Sequence, residues 1–154
     1  MFIERICQSL NKHNVNYAIV GGHAVALHGA VRGTIDIDFV IQWSIENLCN
    51  AEKALKAEGL ESRLPLSAQD IFDNRAQYIE DRNLIAWNFY NPNKLDEQVD
   101  LIINYDLAQK QTVEIQSVNT TIPVLDKASL IAMKRESGRE QDLLDIQALE
   151  KSSP

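Results

Sequence analysis

The chain predicts an α/β domain, in which a mixed, partly antiparallel twisted sheet holds carboxylates on one face and helices pack behind it. Three observations lead there. Residues 34–41, Thr-Ile-Asp-Ile-Asp-Phe-Val-Ile, alternate so that Ile35, Ile37, Phe39 and Ile41 point one way and Thr34, Asp36 and Asp38 the other. Gly21-Gly22 follows directly on the short apolar run Tyr17-Ala18-Ile19-Val20. Helix-type periodicity occupies both ends of the chain, around a middle of β-type runs.

Ile3, Ile6, Cys7 and Leu10 recur at i, i+3, i+4 and i+7, so residues 2–13 read as an amphipathic helix. Asn14 and Asn16 turn the chain into a buried strand at 17–20, and a short helix over 23–28 ends at Gly29. After the strand at 34–41, Ser44 caps a helix over about 45–58 that turns Leu48, Ala51 and Leu55 inward and stops at Gly59. A weak strand near 60–64 and a helix starting at Ser67 come next. The runs at 84–90 and 98–103 flank Asn91-Pro92-Asn93 and predict an antiparallel hairpin. Residues 113–124 hold one or two short strands. Asp126 caps a helix carrying Leu130, Ile131 and Met133 that ends at Gly138, and 139–150 form the last helix. One domain is expected over 1–150, with a frayed tail at 151–154.

A length of 154 residues, 45% of them hydrophobic, suits one globular core. The formal charge of -7 disfavours a broad polyanion-binding surface, so long nucleic acid is not expected, although a local basic cluster could still grip phosphates. Apolar runs are short and the first residues show no leader pattern, which predicts a cytoplasmic protein without a membrane partner. Cys7 and Cys49 have no metal-ligand spacing and suit apolar helix faces. His13, His23 and His28 are scattered, which argues against a histidine metal site, and no chemistry is assigned to them.

Asp36 and Asp38 project from one strand face with their Cα atoms about 6.5 to 7 Å apart. Ionised carboxylates beside an apolar strand are costly unless partnered, and Mg²⁺, a hard ion, suits carboxylates plus a triphosphate. Asp100 faces opposite Val99, Leu101 and Ile103, and it would bring a third carboxylate if its strand lay beside that of Asp36. Gly21-Gly22 sits where a strand hands over to a helix, where free backbone N–H groups favour phosphate.

The order of an apolar strand, Gly-Gly, thirteen residues, Asp-Ile-Asp and a later strand Asp resembles the nucleotidyltransferase superfamily that shares the DNA polymerase β type palm. Within it, Val20-Gly21-Gly22-His23-Ala24, His28-Gly29, Arg32-Gly33-Thr34 and Asp36-Ile37-Asp38 resemble the first motif of the small bacterial abortive-infection toxin and minimal nucleotidyltransferase groups. Leu130-Ile131-Ala132-Met133-Lys134, Gly138-Arg139 and Asp142-Leu143-Leu144-Asp145-Ile146 resemble their carboxyl-terminal stretch. Lincosamide nucleotidyltransferases are similar in length and motif order.

The resemblance implies a nucleotidyltransferase fold and Mg²⁺-dependent (or Mn²⁺-dependent) transfer of a nucleoside monophosphate from a nucleoside triphosphate, ATP among them, to an acceptor hydroxyl on a protein, a tRNA or a small molecule. Asp36, Asp38 and Asp100 would be the catalytic and metal-binding residues. Gly21, Gly22, Arg32, Thr34 and Lys134 would bind the nucleotide. Asp142 and Asp145, one helical turn apart, are expected to position the helix or to pair with Lys or Arg rather than act directly. No counterpart of the larger toxins' extra helical domain is expected, and the acceptor site is therefore expected to be completed by a second copy or a partner protein, in keeping with a toxin-antitoxin or phage-defence setting. The alternative is a catalytically silent module that binds a partner as an antitoxin or neutraliser. The intact set of three carboxylates argues against it.

Overall fold

The computed structural model describes residues 1–30, 36–108 and 110–152. Its elements follow the hydrophobic pattern closely. Helix α1 (Phe2–Lys12) buries Ile3, Ile6, Cys7 and Leu10. Strand β1 (Tyr17–Val20) is buried along its whole length, and α2 (Gly21–Leu27) begins with no intervening residue. Strand β2 (Ile37–Ile41) leads to α3 (Ile45–Ala57), whose first turn is capped by the Ser44 hydroxyl accepting from the Asn47 N–H. There follow β3 (Glu61–Ser62), α4 (Ala68–Asp73), α5 (Arg75–Arg82), β4 (Ala86–Asn91), β5 (Lys94–Ile102), β6 (Thr112–Gln116), β7 (Thr121–Leu125), α6 (Lys127–Ser137) and α7 (Glu140–Lys151).

The strands form one mixed sheet in the order β3-β4-β5-β2-β1-β7-β6. Strands β1 and β2 are antiparallel, while β2 with β5 and β1 with β7 run parallel. The expected hairpin is present as β4 and β5, antiparallel, with a register shift at Tyr90/Asn91. The second arm begins at Lys94 rather than near Gln98, because Leu95 and Asp96 are exposed and leave no alternation to read. The helix expected from Ser67 is broken at Asn74, which closes α4 and opens α5.

One sheet face is apolar: Tyr17, Ile19, Ile37, Phe39, Ile41, Trp87, Phe89, Val99 and Leu101 lie in the core. Helix α1 lies against it, with the Tyr17 hydroxyl donating to the Cys7 carbonyl at 3.2 Å, and α3 packs beside α1, where the Ser9 hydroxyl donates to the Ala54 carbonyl at 2.8 Å. On the opposite face α2 covers part of β1 and β2, and α6 and α7 pack against each other at the edge of an uncovered strip. That strip holds the carboxylates. Cys7 is buried and Cys49 half-buried in helices, as their apolar positions predict. Among the described residues no helix is long and apolar enough to cross a membrane.

Candidate functional site

The parallel pairing of β2 with β5 sets Asp38 directly beside Asp100, and Val20 of β1 lies beside Asp38 on the other side. The row continues to Asn88 of β4, beside Asp100. Because each strand alternates, all these side chains share the open face while their neighbours Ile37, Phe39, Val99 and Leu101 stay in the core. Asp36 precedes β2 and is half-buried near Asp100.

Crowding sets the electrostatics. Burial, and then the adjacent Asp100 within hydrogen-bonding reach, push the Asp38 carboxyl up to about 7. Asp36 is raised too, by burial and then by Asp100, with Arg63 and His23 opposing. Two touching carboxyls on a half-closed face retain a proton or attract a cation. Gly21 lies against this pair. Its φ is +69°, and a Cβ built there would fall 2.9 Å from Asp38 Cγ, so only glycine leaves room for the carboxylate.

That steric dependence gives a controlled comparison. Gly21→Ala and Gly29→Ala both place alanine at positive φ, +69° and +94°, but a Cβ at Gly29 meets nothing within 4 Å. Both are expected to lose about 1–2 kcal/mol from the left-handed backbone alone. Gly21→Ala should lose more, and it alone should displace Asp38. Urea denaturation compares the stabilities, and equal losses would show that the contact with Asp38 carries no weight.

A divalent cation fits the donor set in one particular way. Among the described residues no group of three His, Cys, Asp or Glu side chains converges to hold a metal by itself. Asp38 and Asp100 form a pair of hard oxygen donors with a mutual repulsion to relieve. Mg²⁺ is commonly held by one or two carboxylates together with substrate phosphate oxygens, so the pair suits an ion that arrives with a nucleotide.

The cleft above this row has a volume of about 510 Å³ and is bounded by Gly21, Asp38 and Asp100 on the sheet and by Lys134, Arg139 and Asp142 on the carboxyl-terminal helices. Leu130 and Lys134 are one turn apart on α6 and both are buried. Lys134 Nζ lies 2.9 Å from Asp145 Oδ2 and 3.6 Å from Asp142 Oδ1. Arg139 Nε bonds Asp142 Oδ2 at 2.8 Å, and this bond helps to hold the Asp142 carboxyl down at about 2 against its burial. Asp142 and Asp145 thus pair with Arg139 and Lys134, as their spacing suggests. The Arg139 side chain remains 74% exposed, so its guanidinium is held at one end and open to the cleft mouth.

The structure therefore brings together Asp38, Asp100, Gly21 and Lys134, with Asp36 at the margin and Gly22 buried in the first turn of α2. Arg32 and Thr34 lie outside the described residues. Lys134 is engaged by two carboxylates rather than solvated, while its charge still reaches Asp38. His28 is tied to the Leu125 carbonyl at 2.9 Å. Asn88 and Arg63 have no counterpart in the sequence reading. The alternation Ala86-Trp87-Asn88-Phe89-Tyr90, which hides Trp87 and Phe89, was the available signal that Asn88 faces the carboxylates.

A mixed sheet with an acidic row at the β2–β5 junction, and a glycine turn abutting it, is the arrangement of the nucleotidyltransferase fold, and this chain has that fold. Among solved structures it is similar to the lincosamide antibiotic adenylyltransferase LnuA in its lincomycin-bound form, with 16% identity, a TM-score of 0.65, and coverage of 99% of this chain and 96% of that one. The antibiotic-resistance factor ANT(2'')-Ia in solution matches with 13% identity and a TM-score of 0.64 over 96% of this chain and 80% of that one. An antigenic nucleotidyltransferase-like protein from Paracoccidioides brasiliensis matches with 19% identity and a TM-score of 0.56 over 92% of this chain and 70% of that one. No protein-family model and no curated protein matches the chain.

Proposed function

We propose that the protein transfers a nucleoside monophosphate from a nucleoside triphosphate to an acceptor hydroxyl, with Mg²⁺ or Mn²⁺ held by Asp38 and Asp100 and supported by Asp36. The observation that carries this reading is the side-by-side placement of Asp38 and Asp100 against Gly21 at the floor of an open cleft. A bound divalent ion would neutralise the carboxylates and the phosphates and lower the pKa of the acceptor hydroxyl. Gly21 at the cleft floor, with Gly22 behind it in the first turn of α2, would seat the terminal phosphates, with Arg32 and Thr34 as further phosphate contacts. Arg139, anchored by Asp142 and otherwise exposed, supplies positive charge at the same mouth. Asp100 orients the acceptor hydroxyl and takes up its proton as the α-phosphorus–oxygen bond to pyrophosphate breaks.

A small-molecule acceptor is the reading that the comparisons favour. LnuA is described with lincomycin bound, and ANT(2'')-Ia in complex with adenylyl-2''-tobramycin. A cleft of about 510 Å³ lies in the range usual for small-molecule sites. Completion of the acceptor site by a second copy or a partner protein remains part of the proposal, as does a toxin-antitoxin setting.

Calorimetry with each of the four nucleoside triphosphates tests the core of the reading. At least one should bind in the presence of Mg²⁺ and lose its binding in excess chelator, because phosphates meet unscreened carboxylates once the ion is gone. Equal binding with and without chelator would contradict it.

A further inference from the structure

Across the β4–β5 hairpin the neighbour of Asp100 is Asn88, and its amide is held from two sides. Arg63 Nε donates to Asn88 Oδ1 at 2.7 Å. A guanidinium has donors only, so this contact turns the amide oxygen toward Arg63 and the amide NH₂ toward the carboxylate row. Asn88 Nδ2 then donates to Asp100 Oδ1 at 2.8 Å. Gln98 gives the same orientation independently: its Nε2 donates to the Leu95 carbonyl at 3.0 Å, which leaves its Oε1 facing Asn88 Nδ2 at 3.5 Å. Arg63 is placed in turn by its own N–H, which donates to the Asn88 carbonyl at 3.0 Å, and by the Tyr90 ring, 4.4 Å below the guanidinium carbon.

We propose that Asn88 and Arg63 are positioning residues for Asp100: Asn88 holds one carboxylate oxygen so that Asp100 keeps a single orientation against Asp38, and Arg63 keeps the Asn88 amide from flipping. The inference rests on the reading of Asp38 and Asp100 as holders of a divalent cation. With Asn88 flipped, its amide oxygen would face Asp100 Oδ1, two acceptors in contact, and Asp100 would turn away from the position it shares with Asp38. Partners of metal-holding carboxylates are typically worth 10- to 100-fold in metal affinity.

The test is a titration with Mn²⁺ alone, following loss of the free ion's electron paramagnetic resonance signal, on the wild type, Asn88→Leu, Arg63→Leu and the double variant, each checked for fold by circular dichroism. Asn88→Leu should weaken Mn²⁺ binding about 10- to 100-fold. Arg63→Leu should weaken it by a smaller factor, and that factor should vanish in the Asn88→Leu background, since Arg63 acts through Asn88. Binding by Asn88→Leu within twofold of wild type would overturn the proposal. An Arg63 effect of equal size in both backgrounds would overturn its second half, and equal tightening in both would show a plain charge effect. Arg63 is exposed, so its variant supplies the test even if Asn88→Leu fails to fold: an unchanged Mn²⁺ affinity in Arg63→Leu would then overturn the proposal. If the wild type takes up no Mn²⁺ alone, the same four proteins are titrated with Mn²⁺ and an α,β-methylene triphosphate together, with the same outcomes; a wild type that takes up no Mn²⁺ in either form would overturn the cation reading itself, a result distinct from either of these.

Discussion

Asp38→Asn is expected to abolish nucleotidyl transfer, by at least about two to three orders of magnitude, while making the metal-free protein more stable above neutral pH. The rate loss is that expected when a central electrostatic group is removed. The stability gain follows from the pKa. Burial and Asp100 raise the folded-state Asp38 carboxyl from 3.8 to about 7. Between those values the folded chain holds a proton that the unfolded chain has released, so stability falls as pH rises through the window, and the full penalty is present above it. The penalty amounts to a few kcal/mol, and asparagine removes it. Thermal melts in chelator should show Asp38→Asn more stable than wild type at pH 8 and the difference closing toward pH 4. A variant that is less stable at pH 8 would mean that the ionised carboxylate is well satisfied by its surroundings.

Lys134→Met should be the most destabilising single change in the carboxyl-terminal helices. The Lys134 side chain is 7% exposed and its ammonium pairs with Asp145, 3% exposed, and Asp142, 2% exposed, so its loss leaves negative charge buried between α6 and α7. Breaking such a pair costs about 3–5 kcal/mol. Asp142 retains Arg139, whereas Asp145 exchanges the ammonium for the neutral amide of Gln141, which donates to it at 2.9 Å. Lys134→Met/Asp145→Leu should therefore recover most of the loss, which urea denaturation would measure. The recovered double variant also separates two roles for Lys134. If transfer returns with stability, the lysine only ties the helices; if transfer stays lost, the ammonium also serves the nucleotide. A loss below about 1 kcal/mol in Lys134→Met would show that the pair is solvated.

The acidic row was legible because strand alternation is local. Asp36, Asp38 and Asp100 each stand opposite apolar neighbours in their own short run, so their face follows from the pattern alone. That β5 lies beside β2 is not local: it depends on a parallel pairing between residues 62 positions apart, such as Asp38 and Asp100, which the sequence expresses only as a resemblance. Asn88 was missed for a related reason, since its significance lies in the hairpin register that sets it beside Asp100. The family resemblance assigned Lys134 to the nucleotide, while its place one turn after Leu130, on the buried stripe of α6, also marks it for burial, and Asp142 and Asp145 supplied the partners. The break at Asn74 left no sign in the apolar spacing.

The most direct measurement is a crystal structure with Mn²⁺ and an α,β-methylene triphosphate whose nucleoside calorimetry has selected, with the ion located by its anomalous scattering. The predicted result is a Mn²⁺ peak between the carboxylates of Asp38 and Asp100, shared with phosphate oxygens of the nucleotide, with the terminal phosphates toward Gly21. A nucleotide bound in the cleft with no ion at these carboxylates, or an ion bound elsewhere on the chain, would contradict it.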